Sequence, residues 1–443
     1  MKIWRVVIST LLIISLTPTV AHADHVVDCQ IPAIDLNAKQ GVGWPRSVDD
    51  LPSIGERKFL ILPIDFPDAT SDISAIGNLR RRMELSNVEI FYNLVSSGLF
   101  KPIFDVQNEI LRMPYPSSEY GQNLEQDAWN GTEFQSHHIV HDALFEYQRT
   151  HPAVNMKDYE AAVIVVTSGS SLSGRVAYAL VDSVSQVGAM PGNIHESILV
   201  GLGALSVPEV HPGRMFVHEI NHLLGVPDLY LYGENGYWQG KSTGPFGQQG
   251  YIRGIPSTES IAYNRWLRNW ISDNRVACFK SIDSTKRFTL SPRGSTNGQY
   301  EMALHRIGQY SVLAIESPKE KGFGSMTFPR TVLVYTVDSS IKPGEGPIRL
   351  VPKIDAITSA PLSPDLPDWV RYKTAALKAG EHVVFGDLVI LNTTKVTTGD
   401  VTSVAILAGA DAKSKTITCI KGKLVKKIKG YLPSCPTGYK LKT

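Results

Sequence analysis

The chain has 443 residues, 43% of them hydrophobic, and its 44 basic and 42 acidic side chains leave a formal net charge of +2. This length exceeds one ordinary domain, so two or more domains are expected. The near balance of charge argues against a dedicated nucleic-acid-binding protein.

The first 23 residues have the features of a secretory signal. Lys2 and Arg5 supply positive charge, an apolar run follows, and Ala21-His22-Ala23 is a small-residue cleavage site. The apolar run is short for a membrane span, and no later segment offers 18 uncharged apolar residues. We therefore predict that residues 1–23 are removed and that the mature chain, beginning near Asp24, is secreted. A retained N-terminal anchor is the alternative.

Hydrophobic patterns predict a mixture of helices and strands over the next part of the chain. Residues 24–55 lack clear periodicity and are interpreted as a lead-in or short pro-segment. Compact apolar runs predict strands at 58–66, 160–167 and 196–204, and alternation predicts a strand or hairpin at 99–112. Helical patterns lie at 79–97, 133–149 and 258–271.

The most informative stretch begins at His218, where the sequence reads H-E-x-x-H-x-x-G-x-x-D. On a helix, His218 and His222 leave the same face one turn apart, which suits two corners of a tetrahedral zinc site. Glu219 lies one step round, where it can take a proton from a water at the metal. Gly225 can end the helix in the left-handed conformation. The chain can then return Asp228 to the metal as an oxygen ligand.

Two histidines and one carboxylate leave a fourth position open, which is typical of catalytic rather than structural zinc sites. The alternative is an ordinary amphipathic helix, because Phe216, Ile220 and Leu223 form an apolar stripe. A core helix has no need, however, of two histidines and a glutamate on its opposite face. We therefore predict a metal site.

From residue 279 onwards the pattern changes to short alternating segments separated by Gly, Pro and Asn. These segments lie at 287–291, 300–306, 310–316, 331–337, 382–390 and 401–407. Such a pattern is typical of an antiparallel β-sandwich. The final segment, 411–443, contains nine lysines and a single acidic residue. It is predicted to be a small basic module, either simply solvated or attached to an anionic cell-wall or membrane surface.

Four cysteines in an exported chain indicate two disulfides. Cys419 and Cys435 are close in sequence and are predicted to pair, which leaves Cys29 with Cys278. The alternative is that the thiolate of Cys29 occupies the open zinc position and keeps the protein latent.

A second group of histidines lies on the predicted helix at 133–149. His137 and His141 have i, i+4 spacing, and His138 and Asp142 adjoin them. No carboxylate occupies the general-base position, and no Gly–Asp return follows. We interpret the group as a surface helix face rather than a second metal site.

Two carboxylates at the end of the first predicted strand are candidates for calcium. Asp65 and Asp68 flank a proline, and carboxylates are hard ligands that Ca²⁺ prefers. Carboxylates beside a proline also commonly terminate a strand, and this second interpretation is favoured.

Taken together, these blocks resemble the M6 family of secreted metalloproteases, the immune inhibitor A group. The resemblance extends over roughly residues 56–276, with a weaker likeness in the β region. The matching blocks are 64–68, 91–98, 114–121, 217–230, 262–270, 314–316 and 332–338.

The resemblance implies a zinc endopeptidase of metzincin type. By matching position, His218, His222 and Asp228 are the zinc ligands and Glu219 is the general base. One departure concerns the loop 244–250, where the family usually has a methionine beneath the zinc and this chain has none. Glutamine there is expected to support the site with altered rigidity.

A phenol or backbone N–H group is expected to stabilise the oxyanion of the proposed reaction. Tyr251 directly follows the loop beneath the site and is our candidate. Tyr230 and Tyr232 are the rivals, and packing is the alternative role for each.

The sequence therefore predicts an α+β protein with three parts after the signal and lead-in. These are a metzincin-like zinc-protease domain of mixed sheet and active-site helix, a β-sandwich and a basic tail, at 56–276, 277–410 and 411–443. We expect a monomeric secreted zinc endopeptidase that acts on protein or peptide substrates. The alternatives are an inactive zinc-bearing surface-binding module and a metal-dependent hydrolase of a non-peptide bond.

Overall fold

The structure is a computed structural model, and it combines several β-sheets with few helices, as the α+β prediction requires. The described residues are 25–36, 38–120, 134–167, 177–181, 188–192, 194–206, 212–232, 242–244, 246–250, 260–319, 330–351, 375–395 and 400–442. The predicted signal segment and Tyr251 lie outside these ranges. None of the helices within them has the length and apolar character needed to cross a lipid bilayer.

The described ranges contain five α-helices. These are α1 (Ser74–Ser86), α2 (Val88–Val95), α3 (Phe134–Thr150), α4 (Pro212–Leu223) and α5 (Ala262–Leu267). The helix predicted at 79–97 is interrupted, because Asn87 adopts a left-handed φ of 53° between α1 and α2. The long helix predicted at 258–271 is wrong in length, because Asn269 has a left-handed φ of 60° just beyond α5.

The first sheet has six strands and supports α4. Its strands are β1 (Gly55–Asp65), β2 (Phe100–Val106), β3 (Leu111–Arg112), β4 (Ala161–Val166), β5 (Ala177–Leu180) and β6 (Glu196–Gly201). The order is β2-β1-β4-β6-β5, and β3 also pairs with β1. All pairs are parallel except β5 with β6. The central strands β4 and β6 are buried along their whole length, as expected of parallel strands covered on both faces.

Alternate residues of the central strands build cores on opposite faces of this sheet. Ile164 of β4 lies in a cluster with Leu144 of α3 on one face. Val163 lies on the other face in a cluster that includes Phe216 of α4. The sheet thus holds α4 against one face, while α3 covers the other.

Two further sheets follow in the second half of the chain. Their strands are β7 (Val276–Phe279), β8 (Lys286–Leu290), β9 (Met302–Arg306), β10 (Ser311–Glu316), β11 (Leu333–Asp338), β12 (Ile348–Leu350), β13 (His382–Phe385), β14 (Leu388–Asn392) and β15 (Thr402–Leu407). One sheet has the order β12-β11-β10-β9-β7 and the other β13-β14-β15-β8. Their pairs are antiparallel except β7 with β9, which is parallel. One apolar cluster contains side chains of both sheets, including Leu313 of β10 and Ile390 of β14.

The lysine-rich end of the chain forms a three-stranded sheet of its own. Its strands are β16 (Lys415–Lys421), β17 (Leu424–Gly430) and β18 (Lys440–Leu441), in the order β17-β16-β18. The predicted disulfide between Cys419 and Cys435 is confirmed, with the two Cα atoms 5.5 Å apart. The loop after β17 contacts the preceding sheet through Tyr431, whose ring centroid lies 4.7 Å from that of His382.

The segment predicted as a lead-in or pro-segment lies in the hydrophobic core. Ile31 and Val42 are buried in a cluster with Trp266 of α5, and the ring of Trp44 lies 4.9 Å from that of Trp266. The predicted disulfide between Cys29 and Cys278 is confirmed. It leaves no thiolate on Cys29 to bind zinc, so the latency alternative is wrong. These contacts favour a permanent lead-in over a removable pro-segment.

The Cys29–Cys278 disulfide closes a loop of 249 residues. Restriction of so long a loop in the unfolded chain is worth about 3–5 kcal/mol. We expect the double substitution C29S/C278S to lower the free energy of unfolding by that amount in chemical denaturation. Replacing both cysteines avoids a leftover thiol. The Cys419–Cys435 disulfide closes a far shorter loop, so C419S/C435S should lower the free energy of unfolding by less. Equal losses of stability for the two double variants would contradict the dependence on loop length.

Candidate metal centre

The candidate metal centre is built first by helix α4. His218 and His222 are one turn apart, and both side chains are buried. The predicted apolar stripe packs on the first sheet, because Phe216, Ile220 and Leu223 all belong to the core cluster on that face. Packing of this stripe fixes the rotation of the helix, and with it the direction in which the two imidazoles leave.

The helix ends as the sequence predicted. Gly225 has a left-handed φ of 79°, and its N–H group donates to the carbonyl of His222 at 2.9 Å. The N–H group of Val226 donates to the carbonyl of Asn221 at 3.0 Å. These paired bonds are typical of a helix end at a left-handed glycine. The reversal allows Asp228 to return towards the two histidines.

The N-terminal segment binds the carbonyl groups left free at this helix end. The N–H group of Leu51 donates to Leu223, and the N–H group of Gly41 donates to Gly225. The guanidinium of Arg46 donates to the carbonyl of Leu224 at 3.0 Å. Segment 38–51 therefore satisfies acceptors that a helix end otherwise leaves to water.

The three predicted ligands meet at one point. The Nε2 atoms of His218 and His222 are 3.1 Å apart, and Asp228 Oδ1 lies 3.2 and 3.3 Å from them. For ligand bonds of about 2.0–2.1 Å, one edge of a tetrahedral zinc site measures about 3.3–3.4 Å. The triangle thus has the size of one face of such a tetrahedron. Among the described residues, this is the one group of three or more metal-binding side chains with ligand atoms this close together.

Hydrogen bonds hold the outward-facing atoms of His222 and Asp228. His222 Nδ1 lies 2.7 Å from the carbonyl of Val226 and donates to it, so Nε2 is the nitrogen that can bind a metal when the ring is neutral. The hydroxyl of Tyr232 donates to Asp228 Oδ2 at 2.6 Å. Asp228 Oδ1 is buried and accepts no hydrogen bond within the described part of the chain. A buried carboxylate oxygen facing two imidazole nitrogens fits a bound cation.

Without a metal, the charges of His222 and Asp228 stabilise each other. Burial disfavours the charged form of His222, but Asp228 outweighs this effect and raises the pKa of His222 to about 9. Burial likewise opposes ionisation of Asp228, yet the two imidazoles hold the pKa of Asp228 well below its usual range. A positive charge at this point, carried by a proton or by a metal ion, therefore stabilises the cluster.

Glu219 lies beside the triangle and is not part of it. Its side chain is buried, and burial raises the pKa of Glu219 although the two histidines oppose the shift. The backbone of Ala179 in β5 lies near this carboxylate and opposes the rise in its pKa. A buried carboxyl beside a candidate metal site is placed to accept and return a proton.

Gln249 lies beneath the histidines, in the loop where the resembling family has methionine. Its Nε2 atom donates to the carbonyl of His218 at 3.1 Å and lies 3.3 Å from His222 Nε2. Its Oε1 atom accepts from Asn221 at 3.1 Å, and Asn221 in turn accepts from the hydroxyl of Tyr92 at 3.1 Å. The glutamine predicted to support the site is therefore Gln249, which forms a hydrogen-bonded series of three buried polar side chains with Asn221 and Tyr92.

The sequence analysis did not identify two of these three hydrogen-bonded side chains, Asn221 and Tyr92. Asn221 lies inside the motif, at a position where the motif allows any residue. Its closeness to His218 and His222 in sequence was the one signal that could have identified it. Tyr92 is more than one hundred residues away in sequence, and only the fold brings it to α4. Of the tyrosines proposed as oxyanion donors, Tyr232 hydrogen-bonds a ligand carboxylate, and Tyr230 stacks near His218 at a ring distance of 6.3 Å. Tyr251 stays a prediction because it lies outside the described residues.

The second histidine group has structural contacts. Asp142 accepts a hydrogen bond from the hydroxyl of Tyr120 at 2.9 Å, and its other oxygen lies 3.0 Å from His141 Nδ1. The prediction of a surface face is wrong for His137, which is buried. A helix packed on a sheet must bury one side, and His137 lies on that side of α3.

The two calcium candidates are engaged by protein donors. Asp65 is buried, and its two oxygens accept from the guanidinium of Arg112. Asp68 accepts from the N–H and hydroxyl groups of Ser117 at 2.7 and 2.8 Å. These contacts give both carboxylates a role in holding the loops after β1 and β3, and they do not favour calcium.

No model of a known protein family matches the chain, and no curated protein matches it. The functional interpretation therefore depends on the residues of the site and their geometry.

Gly225 provides a test of the turn that returns Asp228. A Cβ atom there would lie 2.2 Å from Asp50 Oδ2, in addition to the cost of a left-handed φ. We expect G225A to lower the free energy of unfolding by more than about 2 kcal/mol and to weaken zinc binding. The control is G380A, because Gly380 has a similar φ of 84° and open space around it. Equal losses would show that only the backbone conformation matters.

Gln249 provides a test of the support beneath the histidines. We expect Q249L, which keeps the volume but removes the hydrogen bonds, to lower zinc affinity by about 10- to 100-fold. Competition with a chromophoric chelator measures this affinity. Q249M is the matched comparison, since it restores the methionine expected from the resemblance. Unchanged affinity in Q249L would assign the residue a packing role alone.

Proposed function

We propose that the protein is a zinc-dependent endopeptidase of metzincin type, similar to the M6 family. The single observation that carries the proposal is the buried triangle of His218, His222 and Asp228 ligand atoms, 3.1–3.3 Å apart, beside the buried Glu219. Three protein ligands fill three corners of a tetrahedron and leave the fourth for water or substrate. A structural zinc site has no use for the adjacent carboxylate.

Zinc, when bound, would supply a Lewis acid that acidifies water and polarises a peptide carbonyl. Glu219 then acts as the general base and accepts one proton from the attacking water on its carboxylate. The same proton passes from Glu219 to the amine nitrogen of the leaving product. The burial of Glu219 beside the three predicted ligands supports this exchange, because it places the carboxyl next to the reacting groups.

The remaining residues hold these groups in place. Val226 fixes the tautomer of His222, Tyr232 orients the carboxylate of Asp228, and Gln249 supports both histidines. Tyr251 is our candidate for stabilising the oxyanion. Correct orientation of ligands by surrounding hydrogen bonds is needed for full metal affinity and activity.

The domain assignment is part of the same proposal. We assign the sheet of β1–β6 with α4 to a metzincin-like domain, and the two sheets of β7–β15 to a β-sandwich. The apolar cluster shared by those two sheets supports the second assignment.

An extended protein segment is the proposed substrate. Strand β5 is the last described strand in its sheet, and Ala179 of this strand lies near Glu219. A peptide lying along this edge would pass close to Glu219, and extended chains commonly bind by adding to a sheet edge. Both confirmed disulfides are consistent with action outside the cytoplasm.

The second candidate is a zinc-bearing binding module without turnover. It is favoured only by the replacement of the expected methionine by Gln249. The buried Glu219 speaks against it, because a carboxylate that binds neither metal nor a cationic partner destabilises a purely structural site.

Cleavage of casein by the purified protein tests the proposal. We expect E219Q to lower turnover by about 100- to 10,000-fold while one zinc remains bound, because Glu219 transfers a proton and is not a ligand. E89Q makes the same chemical change on the exposed face of α2 and should leave turnover unchanged. Equal and negligible turnover in wild type and E219Q, both with zinc, would instead support the binding module. A panel of ester substrates distinguishes hydrolysis of a non-peptide bond.

A further inference from the structure

The C-terminal sheet ends in a hairpin whose tip exposes apolar side chains on both faces. Leu424 and Val425 directly follow the turn between β16 and β17 and are 60% and 59% exposed. Consecutive strand residues point to opposite faces, so neither face of the tip is covered. Leu441 of β18 pairs with Cys419 near the same end and is 54% exposed. The strand register places Leu424 and Leu441 on the Cys419 face and Val425 on the opposite face, so apolar side chains are exposed on both sides of one end of the sheet.

Four lysines lie in a regular arrangement on the Val425 face of this sheet. Lys427 pairs with Thr418 across one side of β16, and the N–H group of Lys442 donates to the carbonyl of Thr418 from the other side. Lys429 and Lys440 are two residues away on the same strands, so all four lysines lie on one face. From ordinary strand geometry, their Cα atoms are about 7 Å apart along the strands and about 10 Å apart across them.

The surrounding segment has almost no negative charge to balance these lysines. Residues 411–443 contain nine lysines, and the one acidic residue, Asp411, already binds Lys415 at 2.9 Å. Lys421 and Lys423 flank the turn itself. The tip therefore presents an uncompensated positive field next to exposed apolar groups.

We propose that this basic tip, residues 421–429 and 440–442, docks the protein onto an anionic phospholipid bilayer. Leu424, Val425 and Leu441 enter the boundary between headgroups and acyl chains, and the lysines contact the lipid phosphates. A hydrophilic anionic polymer would satisfy the lysines but would leave the apolar tip in water. A bilayer interface offers partners to both, because lysine stems lie along apolar surface while their ammonium groups reach the headgroups.

Co-sedimentation of the full protein with vesicles tests this proposal independently of zinc and of proteolysis. We expect binding to vesicles that mix phosphatidylglycerol with phosphatidylcholine, and none to phosphatidylcholine alone. Binding should weaken as salt is raised. A lysine near an anionic surface contributes roughly a fivefold factor in partitioning. We therefore expect K427Q/K429Q/K440Q/K442Q to lower the partition coefficient by about 100-fold or more.

The control for charge is K101Q/K157Q/K342Q/K378Q, which removes four exposed lysines elsewhere and should bind nearly as well as wild type. For the apolar tip, L424S/V425S should lower the partition coefficient by at least about tenfold. Its control is V48S/I73S, whose side chains are 95% and 63% exposed on other surfaces.

Full binding by L424S/V425S together with loss in the tip lysine variant would overturn the proposal in favour of adsorption to any polyanion. Equal loss in the two lysine variants would also overturn it, because net charge alone would then explain the binding. Absence of binding of the wild-type protein to anionic vesicles would also overturn the proposal. Thermal unfolding of each variant verifies that the substitutions leave the fold intact.

Discussion

The return of the chain after α4 is the constraint on which the proposed centre depends. A helix alone supplies His218 and His222, but the third ligand must come from a segment that reverses direction within six residues. Gly225 provides this reversal in a conformation that a side chain opposes through both φ and contact with Asp50. Segment 38–51 holds the same turn from outside by binding the last helix carbonyls. The position of Asp228 relative to the two histidines therefore depends on the packing of segment 38–51 against the end of α4.

The site also concentrates ionisable groups in a buried volume. Two imidazoles and two carboxylates lie together with little access to water, and burial of such groups is unfavourable unless charges are compensated. The pKa shifts of His222 and Asp228 express how strongly the triangle attracts a positive charge. The chain Tyr92–Asn221–Gln249 supplies the rigid polar support underneath. A methionine in that loop would pack without directing hydrogen bonds, so this glutamine gives the centre a different kind of rigidity.

Local patterns in the sequence predicted much of the fold and most of the candidate site. The spacing of His218, His222, Gly225 and Asp228 predicted a helix, its end and a returning ligand, since each depends on interactions within a few residues. The buried strands and the alternating β segments followed from periodicity in the same way. The lengths of α1 and α5 were not predicted, because a left-handed asparagine breaks each helical pattern. The roles of Tyr92 and segment 38–51 arise from contacts between distant parts of the chain, which a single sequence does not reveal.

The most direct test of the central claim is the zinc coordination of the purified protein, measured by metal analysis and X-ray absorption spectroscopy. We predict one zinc per chain, with two imidazole nitrogens and carboxylate or water oxygens at about 2.0–2.2 Å and no sulfur. The variant D228A should lose one oxygen ligand and bind zinc more weakly, while E219Q should keep the wild-type spectrum. Zinc bound in an unchanged environment after D228A, or no stoichiometric zinc at all, would contradict the assignment of His218, His222 and Asp228 as the metal ligands.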